Sequence, residues 1–242
     1  MFAIYLKEIN NFFSSIIAYV VIIVFLVANG VFLWLLPESN IFDFGYASLD
    51  QLFELAPWVF MFLVPAITMR SFAEERKSGT LEIILSKPVS DIQIILGKYF
   101  ANLSLVLFAL LPSLVYFFSV YQMASPVGNM DIGGTWGSYL GLFFLGAVYV
   151  SIGLLASSLS DNQIISFILA LFICFFFYSL LDMLRGLLLI SPIDPFLEYL
   201  SINTHYISMS RGVIDSRDMI YFISFSALFL FLSRLIMEKR KW

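Results

Sequence analysis

Charge is what this sequence has least of: Asp, Glu, Lys and Arg make up 12% of 242 residues. A soluble globular domain carries about 25%, so this chain cannot build a water-facing surface all round. There is one cysteine, Cys174, which excludes an intrachain disulfide and any cysteine-based metal cluster. Set in Leu171-Phe172-Ile173-Cys174-Phe175, it reads as a small buried hydrophobe rather than a reactive thiol. The one histidine, His205, has no His, Cys or carboxylate at ligand spacing, and reads as a surface or interface residue rather than a metal ligand. No G-x-x-x-x-G-K-[ST] occurs, and Gly97-Lys98-Tyr99 lacks both the upstream glycine and the hydroxyl residue of a phosphate-binding loop. The chain is therefore not expected to hydrolyse ATP by itself, and with a net charge of −4 it does not resemble a nucleic-acid-binding surface.

What is abundant is apolar: 61% hydrophobic residues, with 27 Phe, 12 Tyr and 4 Trp. Uncharged gaps locate the membrane spans. Glu8 to Glu38 leaves 29 residues, Lys98 to Asp131 leaves 32, Asp131 to Asp161 another 29, and Asp161 to Asp182 leaves 20. Glu54 to Arg70 and Asp218 to Arg234 leave 15 each, so flanking charged side chains must there reach for the interface. A helical span needs about 17–25 residues. The pattern predicts an all-α integral membrane protein, one transmembrane domain over 1–242, with spans near 14–36, 52–69, 98–121, 136–156, 163–182 and 218–236. Six such spans leave loops but no folded catalytic domain.

The first apolar run exceeds the ~7–15 residues of a signal-peptide core, and Val27-Ala28-Asn29-Gly30 is no A-x-A cleavage site, so it is expected to remain as a helix. Before it, Phe2, Tyr5, Leu6, Ile9 and Phe13 recur at helical spacing opposite Lys7 and Asn11, predicting an interfacial helix. With both termini inside, the cytoplasmic segments hold ten of the thirteen Lys and Arg, leaving only Arg185, Arg211 and Arg217 outside.

The segment between spans two and three is the most informative. Gly79 interrupts a charged extension, Arg70 to Lys77, of the second span. Beyond it Leu81, Ile84 and Leu85 share one face of a short helix, Glu82 and Ser86 the other, and Pro88 ends it. Ser90-Asp91-Ile92-Gln93 has the spacing of a capping box that starts the next helix. A solvated hairpin and a docking element both fit this pattern.

Glu74-Glu75-Arg76-Lys77-x-Gly79-Thr80-Leu81-Glu82, the following Pro88, and Gly97-Lys98 resemble the permeases of ABC-2 type transporters. The later stretch His205-Tyr206-x-x-Met209-Ser210-Arg211-Gly212-Val213-Ile214-Asp215-x-Arg217-Asp218 resembles that family's last external loop. Among subfamilies, the chain is most similar to the gliding-motility-associated permease of Bacteroidetes-type bacteria. The resemblance implies an exporter subunit of the bacterial inner membrane, with both termini cytoplasmic and short external helices between spans five and six. It implies a coupling helix seated on a separate ATPase that binds ATP and Mg, a second permease chain in a homo- or heterodimer, and an accessory gliding-motility protein as a further partner. Carried onto this chain, Thr80, Leu81, Glu82 and Leu85 would contact the ATPase, braced by Glu74 to Lys77.

Independently of the resemblance, Gly186-Leu187-Leu188-Leu189-Ile190 is too short to span, and Asp194-Pro195 opens a second short helix. Glu54, Asp182 and Arg185 are candidates for a path or gate, because ionisable groups near a membrane are functional by default. The i, i+3 spacing of Asp182 and Arg185 favours an ion pair instead, and Glu54 has no local basic partner. Gly137, Gly141, Gly146, Ser151 and Gly153 let span four approach another helix closely, in this chain or a second one. Pro65 and Pro112 are expected to kink spans two and three, Pro65 serving as a flexing point. A structural membrane anchor without solute transport is the alternative function. An intramembrane enzyme has little support, since the spans hold no His.

Overall fold

The computed structural model describes residues 1–37, 40–86, 88–187, 194–212 and 215–239. Among them every regular element is helical: α1 Phe2–Ser14, α2 Ile16–Trp34, α3 Ile41–Phe44, α4 Asp50–Thr68, α5 Arg70–Lys77, α6 Thr80–Leu85 and α7 Asp91–Met123. Then come α8 Ile132–Leu159, α9 Gln163–Phe175, a π-helical turn Phe176–Leu180, α10 Leu181–Leu187, α11 Asp194–Leu200, α12 Ile202–Ser210 and α13 Ser216–Lys239. Six helices are long and apolar enough to cross a membrane: Ile16–Trp34, Asp50–Lys77, Asp91–Met123, Ile132–Leu159, Gln163–Gly186 and Ser216–Lys239.

Local chemistry sets the breaks. Ser15 is extended between α1 and α2 and its hydroxyl donates to the Phe12 carbonyl at 3.0 Å, so the amphipathic first helix turns away from the first span. The capping box read at Ser90 forms: Ser90 accepts from the Gln93 N–H, and Gln93 accepts from the Ser90 N–H. Asp131 caps α8 and Asn162 caps α9 with a side-chain oxygen alone, each accepting from a backbone N–H at 2.9 Å. Lys98 lies two turns inside α7, which begins at Asp91, and is buried there among paired charges.

The core is organised around α8. Over an 18-residue apolar stretch of each span, 83% of residues are buried in α8 but 28% in each of the first, fifth and sixth spans. Its small residues admit neighbours from this same chain. A Cβ at Gly137 would meet the Met209 carbonyl of α12 at 2.8 Å, one at Gly146 would meet Val106 of α7 at 2.6 Å, and one at Gly153 would overlap Thr68 of α4. The close approach left open between one chain and two is thus intramolecular. Cys174 is fully buried in the same core. Pro57 stands inside α4 together with Pro65, and Pro112 inside α7.

The bundle has two polar ends. Lys7 of α1 touches Glu75 of α5 at 2.7 Å, so α1, α5 and α6 share the N-terminal side. Tyr206 of α12 donates to the Phe53 carbonyl near the start of α4 at 2.7 Å, so α12 packs on the far side; α11 is the short helix expected from Asp194-Pro195, and α12 is a helix that the sequence reading did not propose. Burial pushes the Tyr206 phenol up. Residues 188–190 of the short apolar run, and Val213 and Ile214 of the later motif, lie outside the described residues.

Candidate functional site

On the N-terminal side, α5 and α6 form a ledge held from three directions. The first hold is a buried charge cluster. Lys98 Nζ lies 2.8 Å from Glu8 Oε1 of α1 and 2.9 Å from Glu75 Oε2 of α5, and 5.2 Å from the centre of the Phe72 ring. The lysine side chain is 1% exposed and its carboxylate partners 7% and 12%, so these charges see little water. A buried ammonium is costly unless its charge is answered, and here two carboxylates and a ring face answer it. Lys7 completes the set, 2.7 Å from Glu75 and 3.5 Å from Glu8, leaving two cations against two anions. Partial burial pulls the Lys7 ammonium down, but Glu75 and then Glu8 outweigh it, and the net direction is upward.

The second hold is a hydroxyl from the central helix. The first N–H groups of a helix lack partners within it. Ser157 Oγ of α8 accepts from the Phe72 and Ala73 N–H at 2.9 and 3.1 Å, and donates to the Met69 carbonyl at 3.0 Å. It caps α5 from another element. The third hold is Arg76, whose guanidinium reaches the Ser158 carbonyl and pairs with Asp161 at 2.8 Å.

Beyond these holds the ledge turns. Gly79 has φ +72°, a left-handed conformation that favours glycine, and a Cβ there would meet nothing within 4 Å. The requirement is therefore conformational. Ser78 and Thr80 hydroxyls meet at 2.9 Å across that turn, and Thr80 donates to the Glu75 carbonyl at 3.3 Å. Glu74, Lys77, Thr80, Glu82 and Pro88 are exposed. Leu81 faces inward at 9% exposure within the core while Glu82 and Ser86 are exposed, the two faces that the spacing predicts, so Leu81 is not on the outer surface of the ledge, where Ile83 stands 61% exposed. The side chain of Leu85 lies outside the described residues.

On the far side the residues of the later motif do structural work. His205 Nδ1 is 2.7 Å from Asp218, and its ring stacks on Tyr221 with centres 3.8 Å apart. A carboxylate partner therefore exists, brought by α13 from 13 residues along the chain rather than at ligand spacing. Gly212 has φ +80°, and a Cβ there would meet Gly134 at 3.0 Å, so α12 ends tight against the start of α8. Asp215 accepts from the Arg217 N–H at 2.9 Å. Arg185 pairs with Asp182 at 3.6 Å, as the spacing favoured, and with Asp194 and Glu198 at 3.0 Å each. Glu54, Asp182 and Arg211 line one open cavity of about 950 Å³ together with Trp58 and Tyr178. Arg185 lines its neighbour of about 820 Å³. Among the described residues no group of three metal-ligating side chains converges.

Sequence reasoning met Glu8, Lys98 and Asp161 as ends of uncharged gaps, and Lys98 also in the Gly97-Lys98 resemblance, without joining them in a cluster; it did not single out Ser157.

A family model described as ABC-2 family transporter protein matches residues 2–237. The match covers nearly the whole chain, and the chain belongs to this family: it is a multi-pass transmembrane permease component, whose family implies an ABC ATPase as partner. No curated protein matches the chain.

Proposed function

We propose that this permease is driven through the α5–α6 ledge, which seats on a separate ATPase in the cytoplasm. The observation that carries the reading is the ledge itself. A six-residue helix presents exposed Thr80, Glu82 and Ile83, while its supporting arm is fixed to α1, α7 and α8 by Lys98, Ser157 and Arg76. A push on the exposed face therefore passes into three other helices without being absorbed by a flexible loop. ATP and Mg are bound by the partner, and two permease chains, identical or different, line the path. The clustering of Lys and Arg near the ledge and the chain ends supports a cytoplasmic N-terminal side. The likeness to gliding-motility permeases supports export across a bacterial inner membrane, a role in motility and an accessory motility protein. Glu54, Asp182 and Arg211, facing a cavity on the far side, are where a solute would leave.

The test is co-purification of the ATPase from native membranes with the tagged permease. Ile83→Asp and Glu82→Arg, both at exposed positions, should leave the yield of inserted permease unchanged and abolish recovery of the ATPase and its activity. Undiminished recovery would remove the ledge from the interface. ATPase stimulation that survives substitution of Glu54, Asp182 and Arg211 together, with no solute moved by the wild type, would favour the anchor reading.

A further inference from the structure

The clamp described above makes no use of Arg70. Beside this residue a cleft of about 460 Å³ opens between α1, the start of α2, the end of α4 and α6. One flank is apolar, formed by Phe12, Ile17 and Ile67. Ile17 belongs to the first turn of the first span and Ile67 to the last turn of α4, so the cleft opens at the depth where two spans leave the bilayer. Exposed Phe2 and Leu6 on α1 place the neighbouring helix at that same depth.

The charges in the cleft sort into two sets. Glu8 and Glu75 line it but are committed to Lys98 and Lys7, and those four sum to zero. Arg70 and Glu74 remain. They stand four positions apart on one helix, the spacing at which opposite charges pair, yet among the described residues neither side chain has an ion-pair or hydrogen-bond partner. Among the described residues, the buried Arg70 Nε meets no acceptor. A donor buried without an acceptor is unfavourable, and at headgroup depth the abundant acceptors are lipid phosphates.

We propose that the cleft binds the headgroup of a phosphoethanolamine lipid from the leaflet on the N-terminal side. Its phosphate lies on Arg70, its ammonium on Glu74, and an acyl chain runs along Phe12, Ile17 and Ile67. The unpaired cation and anion, one helical turn apart, match the two charges of this zwitterion in order and in sign. A headgroup with phosphate alone satisfies only Arg70, and a choline offers Glu74 no N–H. The proposal does not rest on the ATPase reading, and its test uses the permease alone.

Native mass spectrometry of the detergent-purified chain, titrated with ethanolamine, glycerol and choline phospholipids of one acyl composition, decides it. The wild type should retain the ethanolamine lipid best. Arg70→Gln should lower retention of all three about tenfold, the scale of one charge-assisted hydrogen bond. Glu74→Gln, at an exposed position, should keep glycerol-lipid binding and erase the ethanolamine preference. Equal retention of the three lipids by the wild type overturns the proposal, as does a Glu74→Gln protein with the original preference. Displacement of the lipid by soluble phosphoethanolamine at equal concentration would also overturn it, making the cleft a site for a soluble phosphate ester.

Discussion

The two polar ends of this bundle handle charge in opposite ways. On the N-terminal side, Lys98, Glu8 and Glu75 are withdrawn from water and balanced with Lys7. On the far side a single guanidinium, Arg185, serves three carboxylates, of which Asp194 and Glu198 are 41% and 49% exposed. The buried cluster is rigid because removing any member strands its partners in a medium that cannot solvate them. The exposed one can exchange partners at little cost, since water and salt replace each contact.

Breaking the buried cluster should have the largest effect. Lys98→Met leaves the buried Glu8 and Glu75 with only the half-exposed Lys7 to answer two negative charges, at a cost of about 3–5 kcal/mol, visible as a large loss of thermal stability in detergent. Adding Glu8→Gln and Glu75→Gln should recover much of it, which a purely steric role for Lys98 would not allow. Next in size is Gly153→Val, which drives a branched side chain into Thr68 and should cost about 1–3 kcal/mol in the same assay.

Arg185→Gln should cost less than about 1 kcal/mol, as its pairs are half-open to solvent. Raising salt to ~1 M should quicken amide exchange in α10 and α11 and leave α5 unchanged. Equal salt sensitivity at the two ends would erase the contrast. The smallest effect belongs to Lys7. Its pKa is raised in the folded chain, so its stabilisation is present below the ordinary value of 10.5 and is lost as pH climbs through the higher folded value. The stability gap between wild type and Lys7→Met should be flat at neutral pH and close above that point.

Local spacing carried much of this architecture into the sequence. Six uncharged gaps correspond to six spans, Ser90 and Gln93 to a capping box, Gly79 to the turn of the ledge, and Asp182 with Arg185 to an ion pair. What stayed hidden depends on partners far along the chain. Lys98 meets a residue 90 positions away, and nothing in either neighbourhood points to the other. The glycines of α8 announced a close approach, but whether the neighbour belonged to the same molecule was a property of the assembled bundle.

The hydroxyl of Ser157 carries one more consequence, which concerns the order of synthesis. The amides it caps precede it by 85 and 84 residues. At about 5–20 residues per second, a nascent chain waits several seconds between making α5 and making its cap. Until α8 enters the bilayer, the arm of the ledge has open N–H groups, and Arg76 lacks both the Ser158 carbonyl and Asp161. The ledge is thus finished only when the fourth span is in place, and until then its arm is held by α1 and α7 alone.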